Sequence, residues 1–282
     1  MRALRAAAAV LLTGLLLPAC ASTARAQDCG GIDAPCAVAL GTFHVAAPLP
    51  DDGGPRPAVI FLHGGGSSGA AMMRNGGMVD AIVARGYVFI APNGLVRPGR
   101  TGGSWSFGDF RPPLRDEAAF MHQIVAYAVD NLGVDPARVL LAGFSIGGSM
   151  AWYLACRAPA DFAAFAPIAG GFWRPFPDDC AGPVKLLHTH GWTDQTVPLE
   201  GRPLRSGVEQ GDIFEGLQLW RRENGCTRLR ADAFDTTGPF WLRRWTSCTP
   251  GTALEFALHD GGHAIPHGWS NLALDWFETV VP

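Results

Sequence analysis

The sequence predicts an α/β fold, with a mostly parallel central sheet flanked by helices. Three observations point to it. Short apolar runs suited to buried strands recur, such as Ala58-Val59-Ile60-Phe61-Leu62 and Val139-Leu140-Leu141-Ala142. Segments with apolar residues at helical spacing alternate with them. The residues able to do chemistry fall just after the predicted strands, where ligands of such sheets sit.

Taken in order, the 282-residue chain begins with what reads as a secretory leader at residues 1–26. Arg2 and Arg5 supply the positive start, residues 6–17 an apolar stretch too short to cross a bilayer, and Ala24-Arg25-Ala26 a small-x-small cleavage site. Cleavage after Ala26 leaves residues 27–282 as one domain. A lipid-modified Cys20 is the competing reading, which Pro18 fits poorly. Residues 37–46 alternate loosely and read as an early strand. Residues 48–57, rich in Pro, Gly and Asp, are a turn. Residues 58–62 are a strand, 72–85 a helix, 87–91 a strand. Residues 116–132 place Phe120, Ile124, Tyr127 and Val129 at helical spacing, and 138–142 form the next strand. Further strands are expected at 162–169, 184–190, 240–245 and 254–258, with helices at 213–222 and 269–280. Two stretches interrupt the rhythm: residues 94–113, expected to cover the site, and the polar residues 199–211.

The strand at 138–142 runs into Gly143-Phe144-Ser145-Ile146-Gly147 and then a helical pattern. A strand that ends in G-x-S-x-G and turns into a helix is a nucleophile elbow, in which small flanking residues allow a turn tight enough to expose the serine oxygen. With 36 glycines in the chain the pentapeptide alone is a weak signal, so its partners decide. His63-Gly64-Gly65-Gly66 follows the strand at 58–62 and suits an oxyanion loop, with Gly65 or Gly66 supplying one backbone N–H and Ile146 the other. Asp194, in His190-Gly191-Trp192-Thr193-Asp194, follows the strand at 184–190 and is the candidate acid, ahead of Asp178, Asp179 and Asp260. His263, in Gly261-Gly262-His263, follows the last strand and is the candidate base, ahead of His259 and His267. The chain order Ser145, Asp194, His263 is that of α/β-hydrolases and differs from the two main serine-protease orders. His188 and His190 lie at i, i+2 on a strand. Without a third ligand they read as a structural pair, and no metal is expected.

These residues carry a family resemblance. The stretch 116–156, His63-Gly64, His190-Gly191 with Asp194 and Val197-Pro198, Gly262-His263 and the Cys226/Cys248 pair are similar to the exported feruloyl esterase and polyhydroxybutyrate depolymerase family. The resemblance covers nearly all of the expected mature chain. It implies an α/β-hydrolase fold with no separate lid domain. It also implies hydrolysis of feruloyl or acetyl esters on plant polysaccharides, with hydroxyalkanoate oligomers as the alternative substrate. The chain departs from the commoner pattern at Ile146 and in the make-up of residues 94–113. Trp105, Trp173 and Trp192 lie on loops at strand ends and are candidates to stack on a phenolic acyl group or a sugar.

Composition narrows the alternatives. Loss of the leader removes Arg2, Arg5 and Arg25 and no acid, which takes the formal net charge from −3 to −6. No basic stripe suggests a nucleic-acid partner. No later apolar run reaches membrane-spanning length, so stable membrane insertion is not expected. No cofactor is called for, and the oligomeric state is open. Of seven cysteines, six remain after cleavage: Cys29, Cys36, Cys156, Cys180, Cys226 and Cys248. An even count in an exported chain suggests three disulfides, and the favoured pairing joins neighbours in sequence, with unpaired buried thiols as the alternative. A catalytically silent binding protein of this fold would keep the tryptophans but need not keep both oxyanion elements and a complete Ser-Asp-His set. Periplasmic and extracellular destinations both remain open.

Overall fold

The computed structural model describes residues 29–48, 53–108, 110–204 and 207–282. The expected leader and Cys20 lie outside the described residues. In chain order the elements are β1 (Cys36–Val38), β2 (Gly41–Ala46), β3 (Arg56–Leu62), α1 (Gly69–Met73), α2 (Gly76–Ala84), β4 (Val88–Pro92), α3 (Glu117–Leu132), β5 (Val134–Phe144) and α4 (Ile146–Arg157). There follow β6 (Ala164–Ile168), β7 (Trp173–Arg174), β8 (Lys185–Gly191), β9 (Arg202–Pro203), β10 (Glu209–Gln210), α5 (Ile213–Glu223), β11 (Ala233–Thr237), β12 (Phe240–Trp245), β13 (Ala253–His259) and α6 (Trp269–Val280).

Ten strands form one sheet in the order β1-β2-β4-β3-β5-β6-β8-β13-β12-β11. The six strands from β4 to β13 are mutually parallel, and antiparallel strands are added at both edges. Parallel strands need both faces covered, which is why β3, β4 and β6 are almost wholly buried. One face packs on α3, α4 and α5 through Phe120, Ile124, Trp152, Leu217 and Trp220. The other packs on α2 and α6 through Val79, Ile82, Leu272 and Phe277. α4 is buried from Gly147 to Cys156, so the segment after the elbow is fixed on all sides.

Several elements differ from the sequence expectation for physical reasons. The early strand at 37–46 is a hairpin, β1 and β2, that turns at Ala39 and Leu40. The helix expected at 72–85 is two helices. Asn75 precedes α2 in a non-helical conformation without a side-chain cap bond, and the following Gly76-Gly77 pair has low helix propensity. β5 starts four residues early, at Val134. Its pairing with β3 jumps from Arg56↔Val134 to Ala58↔Val139, so residues 135–138, with Pro136 lacking an N–H, bulge from the ladder. Residues 199–211 contain β9 and β10, which join β7 in a small antiparallel sheet. The structure closes three disulfides, Cys29–Cys36, Cys156–Cys180 and Cys226–Cys248. No helix among the described residues is long and apolar enough to cross a membrane.

Candidate active site

The tops of β3, β5, β8 and β13 bring the four predicted motifs to one end of the sheet. Ser145 lies between β5 and α4 with φ 58° and ψ −120°, a strained conformation for a residue with a side chain. Its neighbours explain the glycines. A Cβ on Gly147 would sit on the Leu62 carbonyl oxygen, and one on Gly143 would meet the Gly147 carbonyl. Ser145 N–H donates to Ile168 O at 2.9 Å, which ties the turn to β6.

Ser145, His263 and Asp194 form one hydrogen-bonded line. Ser145 Oγ is 2.9 Å from His263 Nε2, and His263 Nδ1 is 2.7 Å from Asp194 Oδ2. A carboxylate can only accept, so His263 carries its proton on Nδ1, and its Nε2 lone pair faces the serine. The other Asp194 oxygen accepts from the Thr196 and Val197 N–H groups, each at 2.8 Å. Burial pushes the Asp194 carboxyl up. Hydrogen bonds from His263, Val197 and Thr196 outweigh it and hold the group below its ordinary value. His263 packs against the Phe144 ring, 4.7 Å between centroids.

His259 and His267, the rival bases, are not in this line. His259 is buried, and its Nδ1 accepts from Gly261 N–H at 3.1 Å. His188 and His190 are a buried contacting pair, with nitrogens 3.0 Å apart.

The glycine loop after β3 is held by residues 94–113, whose described residues carry no helix or strand. Gly66 N–H donates to Gly103 O at 2.9 Å, Gly103 N–H to Ser67 O at 2.8 Å and Gly94 N–H to His63 Nε2 at 2.9 Å. The Gly66 assignment is therefore corrected: its N–H is already spent on a carbonyl. Gly65 is left as the candidate donor. It abuts the Ile146 side chain, and Ile146 begins α4, where the N–H has no partner within the helix. A buried ion pair anchors the far end of the long loop. Arg115 and Glu117 meet at 2.6 Å, Glu117 accepts from Ser106 N–H, and Arg115 donates to the Leu40 and Asn93 carbonyls.

The three candidate tryptophans have different fates. Trp105 is 3% exposed, packs on the His63 ring and donates its indole N–H to His63 O at 2.8 Å. Trp173 is 7% exposed and stacks on Phe110 at 4.8 Å. Neither ring is open to a substrate, which corrects both assignments. Trp192 is 58% exposed, and its backbone N–H bonds His259 O beside the Asp194 loop. A cavity of about 690 Å³, lined by Phe110, Tyr153, Phe176 and the Cys156–Cys180 disulfide, contains none of the three aligned residues.

Sequence reasoning missed His63 as a clasp. Its Nδ1 donates to Gly64 O at 2.7 Å, so its Nε2 is free to accept from Gly94. A Trp105→Phe protein should keep the ring packing and lose the bond to His63 O. A buried carbonyl left unpaired costs about 1–3 kcal/mol, so a thermal melt should show Tm lowered by a few degrees.

Residues 51–206 match the model of the phospholipase/carboxylesterase family. Feruloyl esterase C of Emericella nidulans is 30% identical over 181 residues, 62% of this chain and 56% of its own length. The chain spans between about half and two thirds of the length of the first curated relatives it matches. Among solved structures, the acetyl xylan esterase of Aspergillus awamori superposes with a TM-score of 0.62 at 15% identity, covering 84% of this chain and 93% of that one. The Bacillus cereus carboxylesterase superposes with a TM-score of 0.55 at 12% identity, covering 86% and 95%. At such identities the superpositions speak for the fold, which is that of the α/β-hydrolases.

Proposed function

Because the chain belongs to the phospholipase/carboxylesterase family, we propose that it is an exported serine carboxylic-ester hydrolase. Its substrates are feruloyl or acetyl esters of plant polysaccharides. The observation that carries this reading is the line Ser145 Oγ–His263–Asp194, at 2.9 and 2.7 Å, beneath a glycine loop with an unspent N–H. The acyl choice is supported by the names of the relatives, a feruloyl esterase and an acetyl xylan esterase, and by the exposed Trp192 ring beside the Asp194 loop. Export is supported by the three disulfides and by the leader-like residues 1–26. Residues 27–282 are then one catalytic domain without a separate lid.

The mechanism follows from the proton positions. His263 Nε2 takes the Ser145 proton as Oγ attacks the ester carbonyl. The N–H groups of Gly65 and Ile146 receive the charge that develops on the carbonyl oxygen. Asp194 keeps the imidazole oriented and stabilises its charged form. The alcohol leaves with the proton from His263. Water, activated by the same nitrogen, then releases the acid from Ser145.

The test is a set of initial rates for residues 27–282 on methyl ferulate, an aryl acetate and a 3-hydroxybutyrate oligomer. Turnover of the first two with little on the oligomer is expected. Preference for the oligomer would replace the substrate class by hydroxyalkanoates. Failure on all three, with no labelling by a fluorophosphonate, would overturn the hydrolase.

A further inference from the structure

Beneath Asp194 runs a line of buried hydrogen bonds that takes no direct part in ester cleavage. Trp152 Nε1 donates to His188 Nδ1 at 3.2 Å, His188 Nε2 is 3.0 Å from His190 Nδ1, and His190 Nε2 is 2.8 Å from the Val197 carbonyl. All three side chains lie in residues that are 0% exposed.

The ends of the line fix its direction. An indole N–H can only donate, so His188 Nδ1 accepts and the His188 proton sits on Nε2. That N–H faces His190 Nδ1, which must accept, so the His190 proton sits on its own Nε2. The carbonyl of Val197 can only accept, and it receives that proton. An added proton on either ring would set two donors face to face. Burial, reinforced by the neighbouring His190, keeps His188 well below the usual imidazole range against the opposing pull of the Pro167 carbonyl. Burial lowers His190 to about 4 against the opposing pull of the Val197 carbonyl and Asp194, with His263 and His259 adding to the lowering. At neutral pH this pattern of donors and acceptors requires both rings neutral, each in a single tautomer.

The line joins two halves of the site. Trp152 is on α4, the helix that Ser145 caps, and is wedged among Phe172, His188 and Trp220. Val197 ends the turn that begins at Asp194, and its N–H is one of the two donors to Asp194 Oδ1. His190 Nε2 is also 3.6 Å from Asp194 Oδ2, the oxygen that receives His263.

We propose that His190 is the positioning residue for Asp194. It holds the turn 194–197 against α4, and His188 and Trp152 keep it in the one tautomer that can do so. The inference rests on the reading of Ser145, Asp194 and His263 as the reacting set.

A double-mutant cycle tests it. His190→Leu should lower kcat about 10- to 100-fold, as a misplacement of order 1 Å does, with KM little changed. His190→Gln, which retains an N–H for Val197 and an oxygen for His188, should restore most of the rate. In an Asp194→Asn background, His190→Leu should cost less than about threefold, because the residue it positions has already lost its charge. Equal losses in both backgrounds would overturn the role and leave His190 as part of the core. Should His190→Leu fail to fold, Trp152→Phe takes its place in the cycle with the same expectation of non-additivity. Nitrogen-15 NMR supplies a readout apart from activity: His188 and His190 should both appear as the Nε2–H tautomer between about pH 6 and 9. A proton on Nδ1 of His188 would break the line and overturn the proposal. A wild-type protein that cleaves no ester would overturn the proposed function instead, a result distinct from additivity in an active enzyme.

Discussion

Ser145→Ala should lower kcat for ester hydrolysis by roughly 10⁴- to 10⁶-fold while the protein stays folded. The Oγ atom is the only one removed, and its hydrogen-bond partner is His263 Nε2. The ties that shape the turn are backbone ones, Ser145 N–H to Ile168 O and Ser149 N–H to Ser145 O, and alanine keeps both. The strained φ of 58° is no worse for alanine than for serine. The circular dichroism spectrum should therefore match the wild type, and fluorophosphonate labelling should vanish. Residual turnover well above the uncatalysed rate is expected, because Gly65, Ile146 and the bound substrate remain in place. A Ser145→Ala protein with rates near wild type would remove the nucleophile from the proposal and leave only the fold.

The candidate site was legible in the sequence where steric or chemical demands act locally. G-x-S-x-G declares itself because no side chain at 143 or 147 clears the neighbouring carbonyls. α6 was legible from its apolar spacing, and its observed limits, Trp269–Val280, match the expected ones. What could not be read depends on contacts distant in sequence. Trp105 in a Gly-rich loop looks like a surface ring. It is buried because His63, 42 residues earlier, offers it a carbonyl. Gly65 and Gly66 are indistinguishable as letters, and only the approach of Gly103 removes one of them. β11 is an edge strand with four of its five residues exposed, so it carries no hydrophobic period to detect. The line through His188 and His190 left a faint trace in the sequence: two histidines at i, i+2 on a strand, with the candidate acid four residues beyond the second. That trace marks a pair on one face of a strand. It does not reveal that Trp152 lies beyond one end and the Asp194 turn beyond the other.

Asp194→Asn should cost about 10⁴-fold in kcat, by a different route from the loss of the serine. The asparagine oxygen can still accept from the Thr196 and Val197 N–H groups, which hold the turn. Its amide nitrogen then faces His263 Nδ1, where a carboxylate oxygen stood at 2.7 Å. A donor there forces Nδ1 to accept, so the imidazole proton moves to Nε2. That nitrogen now presents a hydrogen to Ser145 instead of a lone pair and cannot take its proton. Geometry survives and the base is lost, so KM should change far less than kcat. The same substitution carries a stability signature. In the folded protein the Asp194 carboxyl lies below its ordinary value, so its contribution is present above the unfolded pKa and is lost as pH falls through the folded one. Asp194→Asn removes that contribution at neutral pH and has none to lose in acid. The fall in Tm between about pH 7 and pH 3 should be smaller for the variant than for the wild type. Equal falls would mean that the carboxylate is not held by the hydrogen bonds assigned to it. A kcat within tenfold of wild type would move the orienting role from Asp194 to another group on His263.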